Sequence, residues 1–189
     1  MSAITGGRFK GFRLDAPHAI RPTQAKVRQA LFNILGDSIL EARVLDGFAG
    51  SGAIGLEALS RDAAFAAFVE SDTEAVLSIR EHLLRLEADL PRSAWRIVHF
   101  DIERGLRQLA KDEAPFDLIF FDPPYRSDEG KKALNVVVQC AMLRPSGVVV
   151  VEHERRTLVP GSVDSLRQWK QHRYGDTVLS FYHLGHEGS

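Results

Sequence analysis

VLDGFAGSGAIGLEALSR, Val44 to Arg61, decides the fold. An apolar strand, closed by Asp46, passes through a turn of small residues and into a helix. Gly50, Gly52 and Gly55 satisfy G-x-G-x-x-G, a pattern that lets the start of a helix approach a nucleotide closely. Taken alone, the glycines admit a nicotinamide or flavin dinucleotide enzyme. Asp46 shifts the balance, because a carboxylate just ahead of the glycines repels a pyrophosphate drawn to the helix N-terminus. An ammonium group suits that position better.

Outward from this unit, strand and helix alternate. AAFAAFVE leads into TEAVLSIREHLLRLEADL, where Val76, Ile79, Leu83, Leu86 and Leu90 are spaced as a buried face. Ser71 with Glu74 reads as a capping box at that helix's start. WRIVHF precedes ERGLRQLAK, FDLIFF precedes KKALNVVVQCAML, and GVVVVEH reads as a fully buried fifth strand. Near-continuous apolar strands separated by helices imply a parallel sheet covered on both faces. WKQHRYGDTVLSFYHL differs, and reads as two strands joined at Gly175-Asp176, an antiparallel hairpin at the sheet's edge. Upstream, Thr23 is a suitable N-cap for TQAKVRQALFNIL, Gly36 a suitable stop, and FKGFRL can form a short hairpin. The expectation is an α/β fold in which residues 1–22 form a basic N-terminal extension ahead of a domain over residues 23–189.

Ligands bind such sheets beyond the carboxyl ends of the strands. Three successive strands end in acids there. Asp46 closes the first, Glu70 the second, where a carboxylate can accept from both hydroxyls of a ribose, and Asp101 the third, within reach of an adenine amino group. S-adenosylmethionine carries an amino acid, a ribose, an adenine and a sulfonium charge, but no phosphate. The acids fit it better than they fit a dinucleotide.

The fourth strand ends in FDLIFFDPPY, Phe116 to Tyr125. Prolines offer carbonyl acceptors and no N–H donors. With Asp122 they make a rigid turn whose polar groups are all acceptors, and Tyr125 can stack on a flat ring. A nucleobase amino group, with two N–H donors, is the complement. Acceptors that hold those hydrogens make the nitrogen lone pair available to an electrophilic methyl group, so positioning and electrostatics supply the catalysis. A base reaches such a turn only when unpaired or flipped out.

Composition bounds the rest. The 189 residues are 44% hydrophobic and 26% charged, as in an ordinary globular chain. The start, MSAITGGRFK, has no apolar signal core, and no apolar run approaches the roughly 18 residues of a membrane span, so a cytoplasmic protein is expected. Cys140 is the one cysteine, which excludes an intrachain disulfide and a cysteine-based metal site. The net charge of −1 hides an asymmetry: residues 1–30 hold six basic residues against Asp15 alone, while the other 159 hold 18 basic and 24 acidic. A basic arm on an acidic body suits phosphates.

The chain resembles the RsmD-type bacterial 16S rRNA (guanine-N2)-methyltransferase family. The resemblance rests on GGRFKGFRL, RPTQAKVRQALFNIL, LDGFAGSGAIGLEALSR, VESD and FFDPPY, and so covers nearly the whole length. It implies a Rossmann-like class I S-adenosylmethionine-dependent methyltransferase, with a mostly parallel seven-stranded sheet and a C-terminal antiparallel hairpin. Carried onto this sequence, it places the cofactor on Asp46, Phe48, Ala49, Gly50, Ser51, Gly52, Glu70, Ser71, Asp101, Ile102 and Asp122. Asp122, Pro123, Pro124 and Tyr125 would hold the target base. Arg21, Pro22, Thr23 and Arg28 would bridge the cofactor pocket and the RNA, with Arg8, Lys10 and Arg13 on phosphates. The family usually has an aromatic followed by Arg-Gly-Arg where Phe9-Lys10-Gly11-Phe12 stands, and Lys for Arg loses bidentate phosphate geometry. The implied partner is 16S rRNA within a small ribosomal subunit or an assembly intermediate, and a monomer without a metal or a membrane is expected. The DPPY turn suits any exocyclic amine, so an adenine-N6 methyltransferase of DNA or RNA is the alternative.

Overall fold

A computed structural model describes residues 2–15, 22–113, 115–124 and 127–185. The elements in chain order are β1 (Ser2–Ala3), β2 (Arg13–Leu14), α1 (Pro22–Leu35), β3 (Arg43–Gly47), α2 (Ala53–Ser60), β4 (Phe65–Glu70) and α3 (Thr73–Arg85). They continue with β5 (Trp95–His99), α4 (Ile102–Asp112), β6 (Phe116–Phe121), α5 (Glu129–Gln139), β7 (Leu143–Glu154), β8 (Ser162–Val163), β9 (Leu166–Tyr174) and β10 (Thr177–Leu184).

The main sheet has the order β5-β4-β3-β6-β7-β10-β9-β8. β5, β4, β3, β6 and β7 are parallel, and β10 adds antiparallel to β7 with β9 antiparallel to it. The seven expected strands are present, and β8 is an eighth of two residues that pairs with the start of β9. Chain order reverses between β3 and β6, which opens a crevice at their carboxyl ends.

Strand register explains the layers. Gly47 pairs with Val69 on one side and with Phe121 on the other, and Phe121 pairs with Val151. Val69, Phe121 and Val151 therefore share a face, and they pack in one cluster with Leu106 and Leu109 of α4 and Val137 of α5. On the opposite face Val44, Phe120 and Val150 pack with Val27 and Leu31 of α1, and Phe68 packs with Ile79 and Leu83 of α3.

Several boundaries differ from expectation for local reasons. α1 begins at Pro22, one residue before the expected Thr23 cap, and the fixed φ of proline suits a first helical position. Asp72, not Ser71, caps α3, its side chain accepting from Ala75 N–H at 2.8 Å. That helix ends at Arg85, although Leu86 and Leu90 stay buried as the spacing predicts. FKGFRL supplies only one side of its hairpin, since Arg13–Leu14 pairs with Ser2–Ala3 and Phe9–Gly11 forms the turn.

This N-terminal hairpin is anchored through Glu57 of α2, which is fully buried. The carboxylate accepts from Thr5 N–H at 2.7 Å, from Thr5 Oγ1 at 2.8 Å and from Arg61 Nε at 2.9 Å. Arg28 of α1 pairs with it at 3.4 Å and donates to Ala3 O at 2.6 Å. Ile4 and Leu14 then join the cluster around Leu56 and Phe68. Removing one partner of a buried pair strands the other charge. Glu57→Ala is therefore expected to cost about 3–5 kcal/mol in urea unfolding. A loss nearer the surface-pair value of about 0–1 kcal/mol would show that the network carries little. Gly55 is fixed differently, because a Cβ there would lie 2.3 Å from Phe68 Cε1. Gly55→Ala is expected to cost about 1–3 kcal/mol in the same measurement, the overpacking exceeding the gain in helix propensity.

Candidate active site

The crevice at the strand ends is a cleft of about 260 Å³, lined by Phe48, Val69, Glu70, Ser71, Phe100, Asp101, Ile102, Asp122, Pro124 and Glu129. Contributions from β3, β4, β5 and β6 meet here because the four strands are adjacent and parallel. The loop after β3 sets one wall. Gly50 and Gly52 hold φ of 53° and 73°, which glycine adopts without penalty. Phe48 holds φ of 60°, a left-handed conformation that is costly for an aromatic residue, and packs edge-on to Phe121 at 6.1 Å. Strain of this kind persists only where its surroundings enforce it. The loop is closed by Gly52 N–H to Ala49 O at 2.7 Å and anchored by Ala49 N–H to Val69 O at 3.1 Å.

The strand-end acids tie the loops that follow them. Glu70 accepts from Gly50 N–H at 2.7 Å, Ser71 N–H at 2.8 Å and Asp72 N–H at 2.9 Å. A carboxylate has about four lone-pair sites, so capacity remains for a ligand hydroxyl. Asp101 caps α4 through Arg104 N–H at 3.0 Å and pairs with Arg104 Nε at 3.5 Å, while still lining the cleft. Asp46 is 2% exposed and accepts from Gly55 N–H at 2.9 Å behind the glycine loop. Burial pushes its carboxyl up to about 8 despite that bond, and Glu70 and Asp122 push in the same direction.

At the end of β6, Asp122 and Pro124 line the same cleft as Glu70 and Asp101. Burial pushes Asp122 up to about 6. Ser127 Oγ donates to Pro124 O at 2.8 Å, so one of the turn's carbonyls already has a partner. The acceptors that remain without a partner among the described residues are Asp122 and Pro123 O. Tyr125 lies outside the described residues.

The structure thus brings Phe48, Glu70, Ser71, Asp101, Ile102, Asp122 and Pro124 to one cleft, and sets Asp46, Ala49, Gly50, Ser51 and Gly52 around or behind its loop wall. Among the described residues it does not bring the basic arm there. Arg28 is buried against Glu57 and Ala3, which corrects its expected contact with RNA; its place is in the scaffold. Arg8 N–H donates to Ser60 O at 2.8 Å, and its side chain reaches Asp62 at 3.7 Å and Asp89 O at 3.2 Å. Those partners stand at the amino ends of β4 and β5, the far edge of the sheet from the cleft. Lys10 occupies the same turn and Arg13 lies on β2, both exposed. Arg21 falls outside the described residues, and Pro22 and Thr23 open α1.

Sequence reasoning missed Phe100, which is 44% exposed and faces the cleft one residue before Asp101. A large apolar residue just past a strand end is its only signal. Chemically the cleft offers apolar walls in Phe48, Phe100 and Ile102 with acids spaced around them. It fits a flat ring system flanked by hydroxyls and positive charge.

The chain is similar to known proteins in sequence and in fold. The family described as conserved hypothetical protein 95 matches residues 2–183. Ribosomal RNA small subunit methyltransferase D of Escherichia coli K12 is 35% identical over 172 residues, 90% of this chain and 82% of its own. A solved structure of the E. coli protein yhhF is 32% identical with a TM-score of 0.83, covering 97% of this chain and 98% of that one. The Thermus thermophilus 16S rRNA N2 G1207 methyltransferase RsmC, solved with AdoMet and guanosine, shares the fold at a TM-score of 0.68 and 21% identity, over 94% of this chain and 46% of its own. The chain belongs to the conserved hypothetical protein 95 family, the RsmD family of methyltransferases.

Proposed function

We propose that this protein transfers a methyl group from S-adenosylmethionine to the N2 amino group of a guanine in 16S rRNA. The observation that carries the reading is one shared cleft: Glu70, Asp101 and the apolar walls stand across from Asp122 and Pro124. A cofactor site and an acceptor turn for an amine therefore open into the same space. The E. coli relative is named as a methyltransferase of small-subunit ribosomal RNA, which supports the RNA target.

The residues fit the cofactor. Phe48, Phe100 and Ile102 suit an adenine ring, with Asp101 toward its amino group. Glu70 has an open lone pair for a ribose hydroxyl, and Asp46 supplies a carboxyl behind Gly50 and Gly52 for an ammonium. When bound, the cofactor supplies a methyl group on a positively charged sulfur. Asp122 and Pro123 O accept the two hydrogens of the target amine, which turns its lone pair toward that methyl group. Asp122 also stabilises the positive charge that develops on nitrogen. Holding both reactants in one cleft supplies the remaining acceleration.

Three measurements test this. Nucleosides from small subunits incubated with enzyme and tritiated cofactor are expected to contain N2-methylguanosine; N6-methyladenosine alone would establish the adenine alternative. Asp122→Ala is expected to keep its affinity for S-adenosylhomocysteine and to lose about 10²–10³ in methyl transfer, the usual cost of removing one such electrostatic group. Full activity in that variant would sink the mechanism. Glu70→Ala is expected to weaken S-adenosylhomocysteine about tenfold or more by calorimetry, from the hydrogen bonds of a charged acceptor.

A further inference from the structure

Asp122 has a carboxyl neighbour. It directly follows Phe121, and Glu152 directly follows Val151, the residue of β7 paired with Phe121. Residues paired across adjacent strands project from the same face about 4.8 Å apart. Two carboxyl-bearing residues therefore stand side by side at the strand ends, both half-buried, and among the described residues neither has a hydrogen-bond or ion-pair partner. On the other side of Glu152, β10 presents Leu179 opposite it, which offers no compensation. α1 covers this face, yet its Lys26 is exposed and its Arg28 is tied to Glu57. His172 lies one strand further out, opposite Leu179 on β9, and burial keeps it toward the neutral form.

We propose that Asp122 and Glu152 hold one proton between them, Asp122 gripping the target amine as acceptor and Glu152 donating to the lone pair of the ring nitrogen beside it. The inference rests on the methyl-transfer reading of this cleft and adds the second contact to the base. Like charges this close and partly removed from water do not both ionise at neutral pH. Burial sets Asp122 at about 6, while burial and the Asp122 charge push Glu152 up to about 8. The pair therefore loses its two protons in separate steps and carries one proton between its two carboxyls over the neutral range. Environments that separate two carboxyls in this way assign one as acceptor and the other as donor. On guanine the N2 amine adjoins the lone pair of N3, so one N–H and one acceptor face the pair together. Two carboxylates would repel that lone pair.

The test is the pH dependence of transfer. Rate requires the singly protonated pair, so it rises on the acid side as the first proton leaves and falls on the alkaline side as the second one does. Glu152→Gln keeps an N–H donor without a titrating proton and is expected to remove the share of the alkaline fall that Glu152 carries, leaving only what the buried Asp46 contributes. Glu152→Ala has no donor and is expected to lower kcat/KM about tenfold, with S-adenosylhomocysteine affinity unchanged. An alkaline limb unchanged in position and depth in Glu152→Gln would overturn the pair. A ¹³C NMR titration of the side-chain carboxyls reads the same pair without any RNA. Glu152 is expected well above the ordinary glutamate value and lower in Asp122→Asn; an ordinary value in the wild type overturns the pair. If the wild type methylates no RNA while Glu152 titrates high, the transfer reading fails and the shared proton stands.

Discussion

The bond from Gly55 N–H to Asp46 at 2.9 Å sets the geometry on which the site depends. It holds the first turn of α2 against the end of β3, where Gly55 lies so close to Phe68 that a Cβ would clash with the ring. The same arrangement recurs along the sheet. Glu70 holds Gly50, Ser71 and Asp72, Asp72 holds Ala75, and Asp101 holds Arg104. Each helix start has unpaired N–H groups, and each nearby acid satisfies some of them. Glu70 and Asp101 then face the cleft with the lone pairs left over. Scaffold and binding site are built from the same carboxylates.

This double use explains why the sequence was informative about the site and ambiguous about it at once. An acid at the end of an apolar strand is legible, and so is the loop that follows it. Whether that acid is a cap or a ligand contact is not a choice the sequence can express, since Glu70 and Asp101 have partners in the backbone and also line the cleft. Fold class followed from the glycine-rich strand-to-helix unit at Val44 to Arg61 and from the apolar strands around it, because continuous apolar runs between helices leave few other solutions. β8 escaped notice because two residues carry no periodicity. Glu152 escaped assignment because its meaning comes from β6, thirty residues earlier in sequence but next to it in register.

Charge counting misled most at the N-terminus. Six basic residues in thirty suggest a phosphate-binding arm, but charge along a chain says nothing of direction. Arg28 turns inward to Glu57, and Arg8 turns to Asp62 at the far edge of the sheet. Two of the expected contacts therefore have structural partners, and what they stabilise is the seating of β1 and β2 on α2.

The shortness of β8 bears on how the molecule behaves among its own copies. It covers only Leu166 and Arg167 of β9, so Trp169 to Tyr174 form an outer edge among the described residues. An open edge strand invites another chain to add to the sheet. Lys170 and Arg173 stand along this one, and a neighbouring copy would have to bring the same charges alongside them. The edge thus carries its own deterrent to aggregation, where a longer β8 would otherwise be needed to close the sheet.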